Sequence, residues 1–445
     1  MATTITREIV NLTAQVKVTV APTPSTLQQR GAFISVGGTT LQTGTFQFCG
    51  GMSQLTAILG TSGNYIELTN MATTFIAQGT GVGFYVLELG AGTVIDTEIA
   101  ALQTWISANP KIFYAYLVPA NWDASKDEVG SVTITLGGSG YTTAPTVTFS
   151  APTSGATATG TANLVNGSVT SVTITNPGSG YTAAPTVTFS APTSGTTATG
   201  TANLASAMDV LAGDYSSPTG KTYFFVTTNS TNVGNYSTQK SVVAVAPSNL
   251  APSTEFTAAS LFYQWLVNNP SASNPLGPMG YRFAYGVTPW PQTGQSAAVD
   301  TVLSAYGNLI GSGAEGGISD ACIFKGTTMD GSQASWWYGI DWVQIQVKQA
   351  LAAAIINGSN SNPPLVYNQS GINTLRAIAQ NVCNSAVKFG CALSATVTAT
   401  PFGTYTTENP DDYSNGIYNG LSATVVGQNG FLTITFALDA VQFVA

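Results

Sequence analysis

The sequence predicts a mixed α/β (α+β) protein: an α/β body interrupted by all-β tandem repeats, a C-terminal α+β domain, and an extended strand at each end. Strand-like and helix-like segments alternate on both sides of residues 129–208, one stretch inside that range occurs twice, and both chain ends alternate between apolar and polar residues. The predicted divisions are an arm with its linker, a first α/β part, the repeats, a second α/β part and the C-terminal domain (1–30, 31–128, 129–208, 209–330 and 331–445).

The N-terminal arm is predicted from an unbroken period-2 pattern over residues 10–20. The apolar positions on one face of this strand are Val10, Leu12, Ala14, Val16, Val18 and Val20. "APTPST" then breaks the pattern with two prolines, so we expect a linker between the arm and the body.

The α/β body is predicted from buried strands that alternate with helices. The predicted strands are "VGFYVLELG" (82–90), "KIFYAYLVP" (111–119), "KTYFFVTT" (221–228), "SVVAVAP" (241–247) and "YRFAYGVTP" (281–289). The predicted helices are "DTEIAALQTWISANP" (96–110), "ASAMDVLAGDY" (205–215) and "STEFTAASLFYQWLVNN" (253–269). This order favours a largely parallel or mixed sheet covered by helices.

The repeated stretch marks an insertion, because matching α/β elements lie on both sides of it. Residues 131–164 and 171–204 differ at four of 34 positions, at an offset of 40 residues. Period-2 strands separated by glycine-rich turns predict small all-β modules. No charged residue occurs between Val129 and Met208.

The C-terminal domain begins with two amphipathic helices, "DWVQIQVKQALAAAIING" (341–358) and "SGINTLRAIAQNVCNSAVKFG" (370–390), the second with Ser370 as its cap. "LSATVVGQNGFLTITFAL" (421–438) predicts a hairpin, because Asn429 and Gly430 suit a type I′ turn. An apolar extended segment follows. The cluster of Trp336, Trp337, Tyr338 and Trp342 is predicted to lie in the core or a subunit interface.

Composition argues against several functions. The 445-residue chain carries a net charge of -8, 7% charged residues and no histidine. It therefore lacks a basic surface for nucleic acid, a run of 18 apolar residues for membrane insertion, and the usual catalytic base. Gly311, Gly313 and Gly316 fit GxGxxG but follow a helix, the wrong order for a dinucleotide site. We expect no enzyme activity and assign no catalytic, cofactor or metal residue.

Apolar strands at both chain ends predict assembly. An exposed strand edge recruits partners from other molecules, and a linker separates the N-terminal strand from the body. Head-to-tail contacts of this kind build rings or helical arrays. These features favour a polymer-forming structural protein.

Three segments carry a family resemblance: "REIVNLTAQVKVTV" (7–20), "DWVQIQVKQAL" (341–351) and "GIYNGLSATVVGQNGFLTITFALDAVQFVA" (416–445). Together with the interrupted α/β body, they resemble the contractile tail sheath proteins of bacteriophages. The resemblance implies a virion protein, assembled in the host cytoplasm, that stacks as hexameric rings around a tail tube. Contraction would then drive the tube through the host envelope, and inserted domains would face outward.

The resemblance also implies partners and site residues. The partners would be other copies of the chain, the tail tube protein, and baseplate and tail terminator proteins. Exchanged strands would lie at 10–20 and 432–444, with interface side chains Val10, Leu12, Val16, Val18, Ile434, Phe436, Val441 and Phe443. Basic residues of the helices between about 340 and 390 would face an acidic tube: Lys348, Arg376 and Lys388.

An alternative function stays open at this point. The chargeless, Ser- and Thr-rich repeats are also compatible with a glycan-binding adhesin or tail-fibre-like protein, in which the repeats bind host surface sugars and the α/β body is a mount. Sugar binding by the repeat region would favour that interpretation over assembly.

Overall fold

The computed structural model describes residues 26–92, 94–124, 126–291, 297–312 and 320–432. The predicted N-terminal strand at 10–20 and residues 433–444 of the C-terminal one lie outside these ranges. So do all eight predicted strand-exchange residues: Val10, Leu12, Val16, Val18, Ile434, Phe436, Val441 and Phe443.

The described strands fall into a body, an insert and a C-terminal pair. In chain order they are β1 (Gly31–Ser35), β2 (Phe46–Cys49), β3 (Phe84–Glu88), β4 (Ala115–Leu117), β5 (Glu128–Leu136), β6 (Val147–Phe149), β7 (Thr159–Val165), β8 (Ser168–Asn176), β9 (Val187–Phe189), β10 (Thr199–Ala205), β11 (Tyr223–Thr227), β12 (Val242–Ala246), β13 (Asn308–Ser312), β14 (Ala321–Phe324), β15 (Ala392–Ala399) and β16 (Leu421–Gly427).

The described helices are concentrated outside the insert. They are α1 (Met52–Thr56), α2 (Tyr65–Ala77), α3 (Ile95–Ala108), α4 (Ala207–Tyr215), α5 (Ala258–Leu266), α6 (Ala297–Ser304), α7 (Ala334–Ser359), α8 (Gln369–Lys388), α9 (Phe402–Glu408) and α10 (Pro410–Ser414).

The body is built on an eight-stranded sheet in the order β14-β13-β12-β11-β4-β1-β3-β2. The six inner strands are parallel, and β2 and β14 pair antiparallel at the two edges. Successive side chains of β1 enter opposite cores, Phe33 on one face and Ala32 and Ile34 on the other. Helices α2, α5, α7 and α8 contribute to the first core, and α3, α4 and α6 to the second. The mixed, helix-covered sheet expected from the sequence is confirmed.

The insert occupies one connection of this sheet. Strands β4 and β11 are parallel neighbours, and the chain between them runs through β5 to β10 before it enters α4. Because β5 pairs with β10 antiparallel, the insert leaves and re-enters the body at one place. The eight-stranded sheet therefore contains no strand from the repeats.

The two repeats pair crosswise. The first strand of repeat one, β5, pairs with the last strand of repeat two, β10, while β7 and β8 pair at the other end. At the centre β6 and β9 pair antiparallel, with Thr148 opposite its own copy Thr188. The Tyr141 hydroxyl donates to the Ser190 carbonyl, and its copy Tyr181 donates to the Ser150 carbonyl. Equivalent positions of the two repeats thus make matching contacts with each other, related by a local two-fold axis.

The structural units of the insert are consequently offset from the sequence repeats. One unit is contiguous and holds β6, β7 and β8, whereas the other is split into β5 and, later in the chain, β9 and β10. The expectation of one small module per repeat is wrong. Because the repeats are so similar, each strand could pair with an equivalent strand in its own repeat or in the other one. Pairing across the repeats brings the two ends of the insert together.

Two local predictions also need correction. The segment 281–289 is not a strand: it forms one isolated bridge, Phe283 to Cys322, and Tyr281 has a φ of 62°. Asn368, not Ser370, caps α8 by accepting from the Gly371 backbone nitrogen at 2.9 Å. Its side chain reaches the free N–H groups of the first turn from outside the helix.

Candidate assembly interface

The C-terminal domain presents a two-stranded antiparallel sheet, β15 paired with β16. Along β16 the side chains alternate: Leu421, Ala423 and Val425 pack against the core, and Ser422 and Thr424 are exposed. The sequence predicted this strand as the first strand of a hairpin over 421–438. A two-stranded sheet is marginal in water unless it packs against other elements or gains strands.

Helices α7 and α8 support the inner face of this sheet. Ala379, Cys383 and Ala386 of α8 are buried in the core shared with β15, and Val343 and Val347 of α7 are buried in the same core. The buried positions of α7 agree with the amphipathic helix predicted from the sequence. The inner face of this sheet therefore packs on both helices.

A buried polar network fixes α7 to the large sheet. The Asp341 carboxylate is fully buried and accepts from the Tyr114 hydroxyl at 2.9 Å and the Tyr223 hydroxyl at 2.7 Å. Lys240 lies 3.9 Å from its other oxygen. Burial raises the pKa of Tyr114 well above its ordinary value, and the Asp341 charge raises it further, so the phenol stays a donor.

The outer edge of β15 is partly occupied by a side chain. Gln380 of α8 accepts from the Val397 backbone nitrogen at 2.8 Å and donates to the Ala395 carbonyl at 3.1 Å. These two backbone groups point away from β16. The Gln380 side-chain amide therefore occupies two hydrogen-bonding groups on the outer edge of β15. A strand that adds to β15 must displace Gln380, and the sequence gives no signal of this contact.

Within the described residues 428–432, the chain after β16 does not form the predicted hairpin turn. Neither Asn429 nor Gly430 has the positive φ that a type I′ turn requires, so the predicted turn is wrong. Instead Gln333 clamps Gly430 by accepting from its nitrogen at 2.7 Å and donating to its carbonyl at 2.8 Å. The Tyr281 hydroxyl then donates to the Leu432 carbonyl at 2.7 Å. Among the described residues, no strand pairs with the outer edge of β16.

The three predicted tube-facing residues do not form one patch. Lys348 of α7 is half-buried and lines a cavity with Lys111 and Lys221. Arg376 and Lys388 are exposed on α8 and do not line that cavity. Twelve positions separate them on α8, about 18 Å along the helix axis.

The tryptophan cluster is mainly a core element. Trp337 and Tyr338 at the start of α7 are buried, while Trp336 and Trp342 pack against the same core with part of their surface exposed. The prediction of a core position over a sugar-stacking surface is confirmed for Trp337 and Tyr338.

The described part of the chain contains no group of three or more His, Cys, Asp or Glu residues that could hold a metal ion. Its helices include none long and apolar enough to cross a membrane. Gly311 lies inside strand β13, in keeping with the rejected dinucleotide motif. The four cysteines are buried and free, and burial raises the pKa of Cys391 to about 12, so its thiol stays protonated.

The fold of this chain is similar to those of solved structures. No family model and no curated protein matches the sequence. The fold matches a chain of the anti-feeding prophage (AFP) baseplate with a TM-score of 0.50 and 10% identity, covering 95% of this chain and 97% of that one. Two sheath tail proteins also match: Lin1278 from Listeria innocua (TM-score 0.35, 10% identity, 89% and 95% covered) and DSY3957 from Desulfitobacterium hafniense (0.37, 11%, 85% and 92%).

These likenesses are likenesses of fold. The match to the AFP baseplate chain spans nearly the full length of both chains. At 10% sequence identity, it shows that the two chains share a fold.

Proposed function

We propose that the protein is a structural subunit of a contractile tail sheath. Copies stack as hexameric rings around a tail tube, and contraction drives the tube through a host envelope. The observation that carries the proposal is the outer edge of β16, with which no strand of the described residues pairs. The sequence of the same chain predicts an alternating apolar strand at residues 10–20, followed by a linker. The shared fold with the AFP baseplate chain supports it.

Strand addition explains how copies would join. The inner face of β16 is apolar at Leu421, Ala423 and Val425, with the same period as the apolar face of residues 10–20. A strand from a second copy that adds to β16 extends this apolar face over its supporting helices. Main-chain hydrogen bonds would supply affinity, and the linker would let subunits move without separating.

The work of such a sheath comes from two packings of the same subunits that differ in free energy. No nucleotide chemistry by this chain is part of the proposal, and we propose no enzyme activity. The tube protein, baseplate and tail terminator are the proposed partners, and the virion is the proposed location. Arg376 and Lys388, exposed on α8, are the proposed contacts to an acidic tube, with Lys348 a third basic residue in the same domain.

The domain division follows from this function. We propose that residues 1–30 form the strand-exchange arm with its linker and 331–445 the domain that faces the tube. Residues 31–128 and 209–330 then form the middle layer, and 129–208 lie outside. The glycan-binding alternative is not favoured, because the fold match extends over the body and not only over the repeats.

Two matched triple variants test the strand exchange. In the first, Leu12, Val16 and Val18 are replaced by Asp on the apolar face of the predicted arm. In the second, Thr13, Gln15 and Thr19 are replaced by Asp on its polar face. Both variants add three negative charges to the arm. A difference in their assembly must therefore depend on which face of the predicted strand carries the charges.

Assembly is measured by sedimentation velocity over a concentration series. We expect the apolar-face variant to remain monomeric while the polar-face variant assembles like the unmodified chain. Equal assembly of both variants would overturn strand exchange through residues 10–20.

A further inference from the structure

The two units of the insert meet at a self-complementary interface. The split unit comprises residues 127–141 and 186–205, and the contiguous unit comprises residues 146–181. Backbone hydrogen bonds link the six strands and the residues beside them in a ring, in the order β5-β10-β9-β6-β7-β8 and back to β5. The ring encloses one apolar core, to which both units contribute.

Three pairs of backbone hydrogen bonds join the units, and within each pair one bond repeats the other at positions offset by 40 residues. The bonds are Ser190 N to Thr146 O and Ser150 N to Thr186 O, both at 3.0 Å; Val129 N to Pro177 O at 2.9 Å and Val169 N to Gly137 O at 2.8 Å; and Tyr141 N to Gly167 O at 3.2 Å and Tyr181 N to Asp127 O at 3.0 Å. Such reciprocal contacts are the arrangement found in a symmetric homodimer.

The two units present nearly the same residues to this interface. The repeats differ at four positions, which are Leu136 and Asn176, Gly137 and Pro177, Thr143 and Ala183, and Ala156 and Thr196. None of the four lies in β6 or β9, the strands that meet at the two-fold axis. Gly137 and Pro177 join the units through their carbonyl oxygens, which both residues have. A copy of one unit therefore fits in the place of the other.

The contiguous unit also leaves room for a second body. The split unit joins the body at Glu128 and Ala205, which are paired residues of β5 and β10. The equivalent pair in the contiguous unit is Ser168 and Val165, which flank an exposed turn. The Ser168 hydroxyl donates to the Gly138 carbonyl at 2.8 Å, beyond the far end of β5. The length of β5, about 30 Å, therefore separates this turn from the body.

One unit alone is small for a folded domain. It has fewer than about 40 residues, a size at which oligomerisation or cross-links are usually needed. The apolar side chains at the interface, such as Phe149 and its copy Phe189, are buried in the shared core. A unit without a partner would expose this apolar face to water, which favours association.

We propose that this face binds a second copy of itself, so that a chain with one unit dimerises through the insert about the same two-fold axis. In this chain the second unit already occupies the face. The number of units thus decides whether the insert joins two copies of the chain or closes on itself. This proposal does not depend on strand exchange or on the sheath function.

A single-unit variant of the full-length chain tests the proposal. Residues 142–185 are replaced by a linker of about ten Gly and Ser residues, which reaches up to about 33 Å. Within the split unit the Tyr141 hydroxyl bonds to the Ser190 carbonyl, four residues after Thr186. The linker is therefore long enough to join Tyr141 to Thr186 without crossing to another unit.

Thr188→Cys in the single-unit variant reports on the interface. Thr188 lies opposite Thr148 in the unmodified chain, so in the proposed dimer it lies opposite Thr188 of the second chain. The Cα atoms of directly opposed residues are about 5 Å apart, which suits a disulfide. On non-reducing gels after mild oxidation, we expect at least about tenfold more disulfide-linked dimer than from a full-length chain with the same substitution.

Three controls accompany this measurement. The full-length chain with both Thr148→Cys and Thr188→Cys should form the disulfide within one chain, which shows that the pair permits the bond. In the single-unit variant, Thr201→Cys changes an exposed residue of β10 that pairs within its own unit, and it should give no linked dimer. The T188C dimer should persist when the apolar-face Asp substitutions of the arm are added, because the contact does not involve the arm.

Two results would overturn the proposal. One is a single-unit variant in which T188C gives no more linked dimer than T201C, while the full-length double variant forms its disulfide. The other is hydrogen-exchange protection of residues 186–205 that is as strong in the single-unit variant as in the full-length chain and independent of protein concentration. In that case the unit would fold without a partner.

Discussion

The body and the insert of this protein are held together in different ways. In the body, buried acidic side chains join distant elements: Glu88 accepts from Ser35 and Thr39, and Asp341 joins α7 to the sheet. The insert, described from Glu128 to Ala205, contains one charged residue, at its first position, and uses one set of contacts twice. The body therefore depends on a few long-range contacts, whereas the insert depends on duplicated local ones.

This difference predicts that the two regions unfold separately. A change that disrupts a polar network should affect the body, and a change at one repeat should affect the insert as strongly as the same change at the other.

Replacement of Asp341 by Ala should destabilise the body most. It removes the carboxylate that lies 3.9 Å from the buried Lys240 ammonium and the acceptor of the Tyr114 and Tyr223 hydroxyls. Loss of one partner of a buried ion pair costs about 3–5 kcal/mol. Chemical denaturation followed by tryptophan fluorescence measures it, with exposed Asp300→Ala as the neutral control. An equal midpoint for both variants would contradict the role of the network.

Gly140→Ala and Gly180→Ala should destabilise the insert equally, by about 2–4 kcal/mol. Both glycines have positive φ, and an added Cβ would collide with the carbonyl oxygen of Ser194 or of its copy Ser154. Hydrogen exchange of the insert measures the effect. Gly403→Ala, where a Cβ meets open space, is the control. Clearly unequal effects of the two variants would contradict the two-fold arrangement.

Glu128 makes the junction between the regions pH-dependent. Burial, with the charges of Asp96 and Asp127, raises its pKa from 4.5 to about 7. The native carboxyl thus keeps a proton that the unfolded chain releases, so stability falls as pH rises from about 5 to 8. The contribution is at most about 3 kcal/mol.

The Tm of the unmodified chain and of Glu128→Gln, measured across this pH range, checks the sign. We expect the variant to lose less stability between pH 5 and 8 than the unmodified chain. A steeper loss in the variant would show that Glu128 is ionised in the native state and that the sign is wrong.

Removal of residues 144–183 should affect the body least. The deletion takes out the contiguous unit with β6, β7 and β8, and it joins Thr143 to Ala184 in a single-repeat sequence. Since β5 and β10 stay paired, we expect the unfolding transition of the body to change by less than about 1 kcal/mol.

Calorimetry of the deletion variant separates the two transitions. A matched deletion of residues 144–205, which also removes β10, should lower the body transition because the insert no longer closes. Equal damage from both deletions would show that the insert and the body unfold as one unit.

Local patterns in the sequence predicted the body well, because buried strands such as Phe84–Glu88 and amphipathic helices such as α8 are specified by their own residues. The crosswise pairing of the repeats was not predictable, since near-identical strands do not distinguish partners within a repeat from partners across it. The Gln380 contact to β15 and the meeting of three lysines depend on the folded arrangement. The prediction of a turn at Asn429 was wrong, because hydrogen bonds from Gln333 and Tyr281 hold the backbone there in a different conformation.

We propose that copies of this chain assemble by strand exchange into a sheath. Negative-stain electron microscopy of the purified full-length protein over a concentration series is the strongest test of this assembly. We expect hollow tubes or stacked rings wide enough to enclose another tube. Monomers or compact trimers that persist at the highest concentration would contradict it.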